Sequence, residues 1–291
     1  MNITIVGLSA GGLSCLKTLL KYSRDLRITA ITNEERLYSR CLLTYLLGKE
    51  LDENDINIAE VSDLKNTEII FKRTVKSINR EKRTITLDNN REIPYDKLVL
   101  AVGSDPLRPT YCKEENNVFT LRYLKDAHNI DKKLKDSVIV VGGGYVGIKS
   151  AYGFYKRKVR TTMIVTSPYP LSVTADEETG RIVEKELIKM GVDLRLKSDV
   201  IEVVKKNGSV NVILRDGTEL ISDVLVVGKG VKPNINLAKS AGLECQNGIL
   251  VNDFLQTSDE NIYAIGDCAE SSDIVRKEKN INAIWPTAEE Q

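Results

Sequence analysis

Short apolar runs and amphipathic stretches alternate along the first part of the chain. Residues 3–6 form an apolar run that ends at a glycine-rich turn, and Leu13, Leu16 and Leu20 then recur at helical spacing. A second strand-like run follows at residues 27–32. This order predicts a strand, a helix and a parallel strand joined by a right-handed crossover.

The same order recurs in the middle of the chain. Residues 138–141 are apolar and end at a second glycine-rich turn, a helical pattern runs through Ala151 and Phe154, and residues 162–165 form the next strand-like run. The repetition predicts two domains built on one plan.

The spacing of later residues supports an internal repeat. Leu87 and Asp96 are nine positions apart, as are Leu214 and Asp223, and each pair encloses a turn followed by an apolar run. Seven positions after each aspartate comes a glycine: Gly103 and Gly230. We therefore predict an α/β fold of two Rossmann-like three-layer nucleotide-binding domains, each with a parallel sheet and a small antiparallel meander. The stretch from 248 to 265 should return to the first domain and complete its sheet.

Composition narrows the function. The chain has 291 residues, room for about two domains, and its 42 Lys and Arg balance 41 Asp and Glu, which argues against binding nucleic acid or a membrane surface. Its five cysteines are scattered without a C-x-x-C pair, so we expect reduced thiols in the cytoplasm and neither disulfides nor a metal site. The start of the chain leads directly into a strand, so we expect no leader, and no apolar run is long enough to span a membrane.

Each glycine turn has the chemistry of a pyrophosphate site. Glycines between a strand and a helix let backbone amides approach the phosphates, which then lie at the positive end of the helix. The residues expected to bind are Gly7, Ser9, Ala10 and Gly12 in the first turn, and Gly142, Gly144, Tyr145, Val146 and Gly147 in the second. Two such turns predict two nucleotide cofactors on one chain, between which electrons pass.

The residues after the second strand of each unit bear on the adenosine ribose. Glu34 suits the ribose hydroxyls of the first nucleotide, its alternative being an ordinary surface glutamate. The corresponding position in the second unit is expected to be Thr166, which is neither acidic nor basic, so the choice between NADH and NADPH stays open. His128, the single histidine, lies on a polar helix face, so we expect a mechanism without a histidine base.

Four motifs in order resemble the FAD-dependent pyridine nucleotide-disulfide oxidoreductase family over essentially the whole chain. They are the two glycine turns, residues 95–104, and residues 257–267, which end in Gly266-Asp267. The resemblance implies an enzyme that binds FAD and either NADH or NADPH and passes hydride from the nicotinamide to the flavin. It assigns residues 1–110 and 238–291 to an FAD-binding domain and 111–237 to an NAD(P)-binding domain.

The same resemblance implies roles for individual residues. Asp267 would bind the ribityl chain of FAD, Gly12 its pyrophosphate, and Val75 would place backbone groups against the adenine. Further cofactor contacts are implied for Arg40, Ala101, Gly103, Gly266, Trp285 and, in the second domain, Gly230. The family also implies homodimerisation through a C-terminal domain that is absent from this chain.

Residues 38–45 bear on the branch of the family. Coenzyme A disulfide reductases, persulfide reductases and NADH peroxidases carry a single cysteine where this chain has Cys41, but Leu42 and Thr44 depart from their pattern. The preceding Tyr-Ser-Arg, ending at Arg40, resembles rubredoxin reductases and nitrite reductase flavin domains instead. Cys41 is therefore either a redox thiol activated at a helix N-terminus or a buried small hydrophobe.

Three functions stay open at this stage. The first is electron transfer to a protein iron centre of the rubredoxin or ferredoxin type, or to another acceptor. The second is reduction of a small coenzyme A disulfide or persulfide by Cys41, and the third is redox sensing without turnover. Ala10 stands where peroxidases carry a histidine, which disfavours peroxide reduction.

Overall fold

The computed structural model describes residues 1–23, 25–113, 117–273 and 277–291. The helices are α1 (Ala10–Tyr22), α2 (Leu43–Leu47), α3 (Leu124–Lys133), α4 (Tyr145–Lys156), α5 (Glu177–Lys189), α6 (Asn236–Ser240) and α7 (Trp285–Glu290). One-turn 3₁₀ helices lie at Arg40–Leu42, Val61–Asp63 and Gly266–Cys268.

The strands are short and follow one another closely. In the first part of the chain they are β1 (Asn2–Val6), β2 (Arg27–Ile31), β3 (Thr67–Ile70), β4 (Val75–Asn79), β5 (Thr84–Leu87), β6 (Glu92–Pro94), β7 (Lys97–Leu100), β8 (Ser104–Pro106) and β9 (Val118–Thr120). In the middle they are β10 (Ser137–Val141), β11 (Arg160–Val165), β12 (Asp193–Leu196), β13 (Val200–Lys206), β14 (Ser209–Leu214), β15 (Glu219–Ser222), β16 (Val224–Val227) and β17 (Val231–Pro233). The last four are β18 (Ile249–Leu250), β19 (Ile262–Ala264), β20 (Ala269–Asp273) and β21 (Glu278–Asn280).

The chain divides into two compact units. Unit 1 contains residues 1–39, 57–105 and 232–291, and unit 2 contains residues 40–56 and 106–231. Residues 40–56 group with unit 2, although the sequence analysis assigned them to the first domain. The assignment of FAD to one domain and of the nicotinamide nucleotide to the other stays a prediction.

A five-stranded parallel sheet forms the centre of unit 1. Its order is β19-β7-β1-β2-β3, so the strand that carries the first glycine turn lies in the middle. The late strand β19 joins the sheet beside β7, as the sequence predicts. Leu16 of α1 and Ile5 of β1 are fully buried, which accounts for the helical spacing of the leucines.

Unit 2 repeats this sheet in the order β12-β11-β10-β16-β9. The second glycine turn follows the central strand β10, whose residues are all buried, and Phe154 of α4 is fully buried. Burial of a large apolar side chain contributes about 1.5–3 kcal/mol. The strand-turn-helix-strand plan predicted for both halves is confirmed, and so is the fold class.

The internal repeat extends to single hydrogen bonds. The Asp96 carboxylate accepts the backbone N–H of Asn2 at 2.6 Å, and the Asp223 carboxylate accepts that of Ser137 at 2.9 Å. Each aspartate thus ties the strand after the meander to the start of the central strand. Each meander also carries a register shift at its first strand, between Val75 and Ser77 and between Val200 and Glu202. Asp96 and Asp223, which the equal spacing predicts to be equivalent, therefore make equivalent hydrogen bonds in the two units.

No helix in the described part of the chain is a candidate for a membrane span. Across the described ranges, none combines the length and the apolar character that a bilayer crossing requires.

Candidate functional site

The first glycine turn is held too tightly for any side chain at two of its positions. Gly7 has φ of +99°, and a Cβ there would overlap the carbonyl oxygen of Ala101. A Cβ on Gly12 would overlap the carbonyl oxygen of Gly7. Since only glycine fits both places, the backbone of α1 can start directly at the end of β1 and turn its amides outward.

The second turn repeats this geometry. Gly142 has φ of +121°, a Cβ there would overlap the carbonyl oxygen of Gly228, and a Cβ on Gly147 would overlap that of Gly142. A Cβ on Gly144 would have no atom within 4 Å among the residues that the structure describes, so that position faces open space. An open backbone at the middle glycine is what a pyrophosphate needs in order to approach closely.

The N-termini of the two helices suit an anion. The first turns, Ala10 to Leu13 in α1 and Tyr145 to Ile148 in α4, contain no charged residue. Neither Ser9 nor Gly144 provides a side-chain cap, as far as the described residues show. Their N–H groups and the positive helix dipole are therefore available to phosphate oxygens. In α5, by contrast, the Asp176 carboxylate accepts the N–H of Thr179 at 2.9 Å and closes that end.

The ribose loops differ between the units. Glu34 is half-buried, and its N–H donates to the Thr32 hydroxyl at 3.2 Å, which holds the turn after β2. Val6 pairs with Ile31, and Val141 pairs with Ile164. Counting three positions onward from Ile31 and from Ile164 aligns Glu34 with Ser167, not with the exposed Thr166 that the sequence analysis chose. The Ser167 hydroxyl donates to the Tyr169 carbonyl at 2.9 Å.

The crossover segment after β7 is fixed by backbone and side-chain hydrogen bonds. The Ala101 N–H donates to the Val6 carbonyl at 2.8 Å, which brings residue 101 against the first glycine turn. Asn234 fastens the next two residues, donating from its backbone to Gly103 at 2.9 Å and from its side chain to Val102 at 3.1 Å. Ala101 thus lies against the first glycine turn, and Gly103 follows two residues later in the segment that Asn234 holds.

The Gly-Asp motif forms a one-turn 3₁₀ helix directly after β19. The Asp267 carboxylate accepts a hydrogen bond from the Ser104 hydroxyl at 2.7 Å, and Ser104 is fully buried. The Gly266 N–H donates to the side-chain carbonyl of Gln291 at 2.7 Å. Because β19 and β7 are neighbours in the sheet, Asp267 and the crossover lie at the same carboxyl edge of unit 1.

The segment that contains Trp285 forms α7 and packs against α1. A Cβ added to Gly11 would lie 2.9 Å from the Ala288 carbonyl oxygen, so glycine permits the close approach of the two helices. The Ser14 hydroxyl donates to the Glu289 carbonyl at 2.8 Å. Trp285 itself is half-buried at the first position of α7.

Val75 and Gly230 are two further residues for which the resemblance implies cofactor contacts. Val75 begins β4 and is buried at the register shift of the first meander. Gly230 lies after β16, and its carbonyl accepts the Leu107 N–H at 2.9 Å. Their contacts with cofactors stay predictions.

Cys41 is exposed, in the 3₁₀ turn that precedes the short helix α2. Beside it, the Arg40 guanidinium lies over the Tyr123 ring at 4.8 Å, and the Lys149 ammonium lies over the Tyr45 ring at 5.2 Å. All of these residues belong to unit 2. The expectation of a buried, purely packing cysteine does not fit its exposure, whereas its redox activity stays untested.

Two other cysteines are chemically quiet. Burial raises the pKa of the Cys15 thiol to about 11 and that of Cys268 to about 11. Both are therefore neutral thiols near pH 7, and a thiolate nucleophile is not expected at either. Cys268 donates to the carbonyl of Leu100 at 3.3 Å, in agreement with the packing role expected for it.

The sequence missed three residues that hold the site. Ser104, Gln291 and Gly11 were not proposed, although each contacts a predicted site residue or its helix. Ser104 directly follows the predicted Gly103, and Gly11 lies inside the first turn, so position alone offered a weak signal. Ser104 and Gly11 lie more than 150 residues from their partners in sequence, and Gln291 lies 25 residues from Gly266, so only the fold brings each pair together.

Comparison with known proteins gives one family for the whole chain. The family described as pyridine nucleotide-disulphide oxidoreductase matches residues 1–291. NADH oxidase of Methanocaldococcus jannaschii is 34% identical, over 100% of this chain and 68% of the relative. Rubredoxin-NAD(+) reductase of Pseudomonas putida is 32% identical, over 98% of this chain and 77% of the relative.

A solved structure of an NAD-dependent persulfide reductase from A. fulgidus superposes with a TM-score of 0.94. It is 29% identical and covers 100% of this chain and 57% of that chain. The chain thus spans only part of each of these proteins. The family match confirms the resemblance inferred from the motifs, oxidoreductase as the enzyme class, and FAD and NAD(P)H as the cofactors.

Proposed function

Because the chain belongs to the pyridine nucleotide-disulphide oxidoreductase family, we propose that it is an FAD-dependent NAD(P)H oxidoreductase that delivers electrons to a protein iron centre. The acceptor would be a rubredoxin or ferredoxin. FAD would bind in unit 1 and the nicotinamide nucleotide in unit 2. The observation that carries this proposal is the pair of matched turns, in which Gly7 and Gly142 each pack against a carbonyl oxygen that excludes a side chain.

The residues of unit 1 fit FAD. Gly7 and Gly12 let the N-terminus of α1 face a pyrophosphate, and Glu34 can accept hydrogen bonds from the adenosine ribose. Asp267, anchored at the same sheet edge, can accept hydrogen bonds from the ribityl hydroxyls. When bound, the flavin supplies the exchange between a two-electron hydride donor and one-electron acceptors. The protein contributes binding, orientation and electrostatics.

The residues of unit 2 fit a nicotinamide nucleotide. Gly142 and Gly147 form the narrow turn, and the open position at Gly144 leaves room for phosphate oxygens. Ser167 takes the place of the ribose-binding acid, so the loop offers a hydroxyl where a carboxylate would repel a 2′-phosphate. The preference between NADH and NADPH is therefore left to experiment.

Two observations favour a protein iron centre as the electron acceptor. Residues 38–40 resemble rubredoxin reductases, and a rubredoxin-NAD(+) reductase aligns over 98% of this chain. A second candidate function is reduction of a small disulfide or persulfide. It is favoured by the exposure of Cys41 and by the likeness to a persulfide reductase.

Anaerobic reduction tests the enzyme class. The full-length protein is expected to be yellow when purified, and NADH or NADPH should bleach its flavin absorbance within the turnover time. The faster nucleotide identifies the donor. A preparation that stays colourless after FAD is added would overturn the proposal, and slow reduction to a long-lived charge-transfer complex would favour a sensor.

Replacement of Cys41 by serine separates the two acceptors. If the proposal holds, Cys41→Ser keeps the NAD(P)H-dependent reduction of rubredoxin or ferredoxin within about twofold of wild type, because no thiol takes part. The matched control is Cys245→Ser, at a half-buried cysteine outside the motifs. Loss of all acceptor reduction in Cys41→Ser alone, with FAD retained and reducible, would establish the thiol route instead.

A further inference from the structure

Ser104 makes a short side-chain contact to the Asp267 carboxylate of the Gly-Asp motif. Its hydroxyl donates to Oδ2 of Asp267 at 2.7 Å, across 163 positions of sequence. Ser104 is fully buried, with 0% of its surface exposed to solvent. A charge-assisted hydrogen bond of this length in a buried place is stronger than an ordinary one.

This bond fixes the orientation of the carboxylate. An aspartate side chain has two torsions, and one bond to an oxygen holds the plane of the carboxylate against rotation. The backbone is held separately, because the Gly266 N–H donates to the Gln291 side chain at 2.7 Å. The Asp267 carboxylate is therefore set in place by unit 1 itself, and ordering it on binding would cost little.

The internal repeat shows that the scaffold does not need a hydroxyl here. Gly103 and Gly230 occupy equivalent positions, so the residue equivalent to Ser104 in unit 2 is Val231. Both units build the same sheet order, one with a serine at this place and one with a valine. The serine accompanies the unit that carries the Gly-Asp motif.

We propose that Ser104 is a positioning residue for FAD, which holds the Asp267 carboxylate in the orientation that accepts the ribityl hydroxyls. This inference rests on the proposed function, in which unit 1 binds FAD through Asp267. Ser104 acts through Asp267 and is not itself assigned a contact with the cofactor.

A double-mutant cycle tests the coupling. The variants are Ser104→Ala, Asp267→Ala and the double variant, each made in the full-length flavoprotein. The dissociation constant of FAD is measured from the recovery of flavin fluorescence as the holoprotein is diluted. Ser222→Ala in unit 2 is the matched control, since Ser222 is also buried and donates a 2.7 Å hydrogen bond, in its case to the Val224 carbonyl.

Ser104→Ala is expected to raise the FAD dissociation constant about tenfold, as the loss of a hydrogen bond to a charged group does. In the Asp267→Ala background the same change should have less than about a twofold effect, because the carboxylate to be positioned is gone. Ser222→Ala should leave FAD affinity unchanged. Ser104→Cys, which keeps the volume but donates weakly, should raise the constant about threefold and serves if the alanine variant does not fold.

The outcomes separate this inference from the proposed function. A wild-type protein that binds no FAD would overturn both. Wild-type affinity in Ser104→Ala, or an equal loss with and without Asp267, would overturn the positioning role while leaving the enzyme class standing. Unchanged affinity in Asp267→Ala would also overturn it, because the carboxylate would then not hold the cofactor.

Discussion

The two units use one scaffold and complete it in different ways. In unit 1 the fifth strand of the sheet is β19, which comes from the end of the chain, whereas in unit 2 it is β9, which precedes the central strand. Unit 1 continues from β19 into Asp267 and the Gln291 contact, and α7 covers its first helix. The described part of unit 2 has no counterpart of these additions.

This difference teaches which features belong to nucleotide binding in general. The glycines at the turn and the aspartate that ties the meander to the central strand recur in both units. The two units differ at three places: the Gly-Asp motif, which has no counterpart in the described part of unit 2, Ser104 against Val231, and Glu34 against Ser167. Variants at equivalent positions can therefore separate shared from specific roles.

The largest effect is expected from alanine at the first glycine of each turn. Gly7→Ala should abolish FAD binding, because the methyl group would overlap the Ala101 carbonyl and the backbone has positive φ. Gly142→Ala should leave FAD bound but weaken NAD(P)H binding by about 100-fold or more, which corresponds to about 2.7 kcal/mol. Flavin absorbance and nucleotide titration measure the two effects separately.

A glycine outside the turns controls for backbone strain. Gly217 has φ of +86° and, within the described residues, no atom within 4 Å of an added Cβ. Gly217→Ala should cost about 1 kcal/mol of stability and leave both nucleotides bound. If Gly7→Ala and Gly142→Ala damaged both cofactor sites equally, the assignment of one nucleotide to each unit would be wrong.

The next effect concerns the ribose loop. Ser167→Glu places in unit 2 the acid that Glu34 provides at the equivalent position of unit 1. The carboxylate should accept the ribose hydroxyl of NADH and repel the 2′-phosphate of NADPH, so the ratio of kcat/KM for NADH over NADPH should rise about tenfold. Steady-state kinetics with both donors measure this ratio. Thr166→Glu is the comparison variant. If neither variant changes the ratio of kcat/KM for NADH over NADPH, the ribose binds elsewhere.

A smaller effect, on stability, is expected at the aspartate that links the strand after each meander to the central strand. Although burial acts to raise the pKa of Asp223, hydrogen bonds from the N–H groups of Ser137, Asp136 and Lys135 lower it below the usual 3.8. A carboxylate with a lowered folded-state pKa stabilises the fold above its unfolded-state pKa and loses that contribution as the pH falls through the folded value. Asp223→Asn should therefore destabilise unit 2 by about 1 kcal/mol at pH 7, after allowance for solvent screening.

Thermal unfolding at two pH values checks this sign. The stability gap between wild type and Asp223→Asn should shrink as the pH falls below 3.8. Asp96→Asn is the comparison in unit 1, where the carboxylate accepts the N–H of Asn2. A gap that widens in acid would show that the carboxylate is not held by these amides.

The smallest effect is expected where α7 packs against α1. Gly11 packs under the Ala288 carbonyl, whereas its equivalent in unit 2, Val146, is exposed. Gly11→Ala should push α7 outward and lower the stability of unit 1 by about 1 kcal/mol, while Val146→Ala should change stability by less than about 0.5 kcal/mol. Denaturant unfolding measures both. Equal effects would mean that α7 does not depend on this close contact.

Sequence reasoning predicted the parts of the fold that depend on local pattern. The strand, turn and helix of each unit follow from apolar spacing. The equivalence of Asp96 and Asp223 follows from their equal distances in sequence to Leu87 and Leu214. Ser104 could not be found in this way, because its partner Asp267 lies 163 positions away and a buried serine has no periodic signature. Thr166 was chosen by counting from Gly142, whereas the strand register aligns Ser167 with Glu34.

The strand β19 also fixes an order of events during synthesis. Ile262 pairs with Leu98, so the sheet of unit 1 lacks its edge strand until the ribosome has passed residue 264. Unit 2 ends at residue 231, and its five strands are all made before that point. Domains fold as units while the chain is made. The sheet of unit 2 is therefore complete before the sheet of unit 1, although unit 1 begins earlier in the chain.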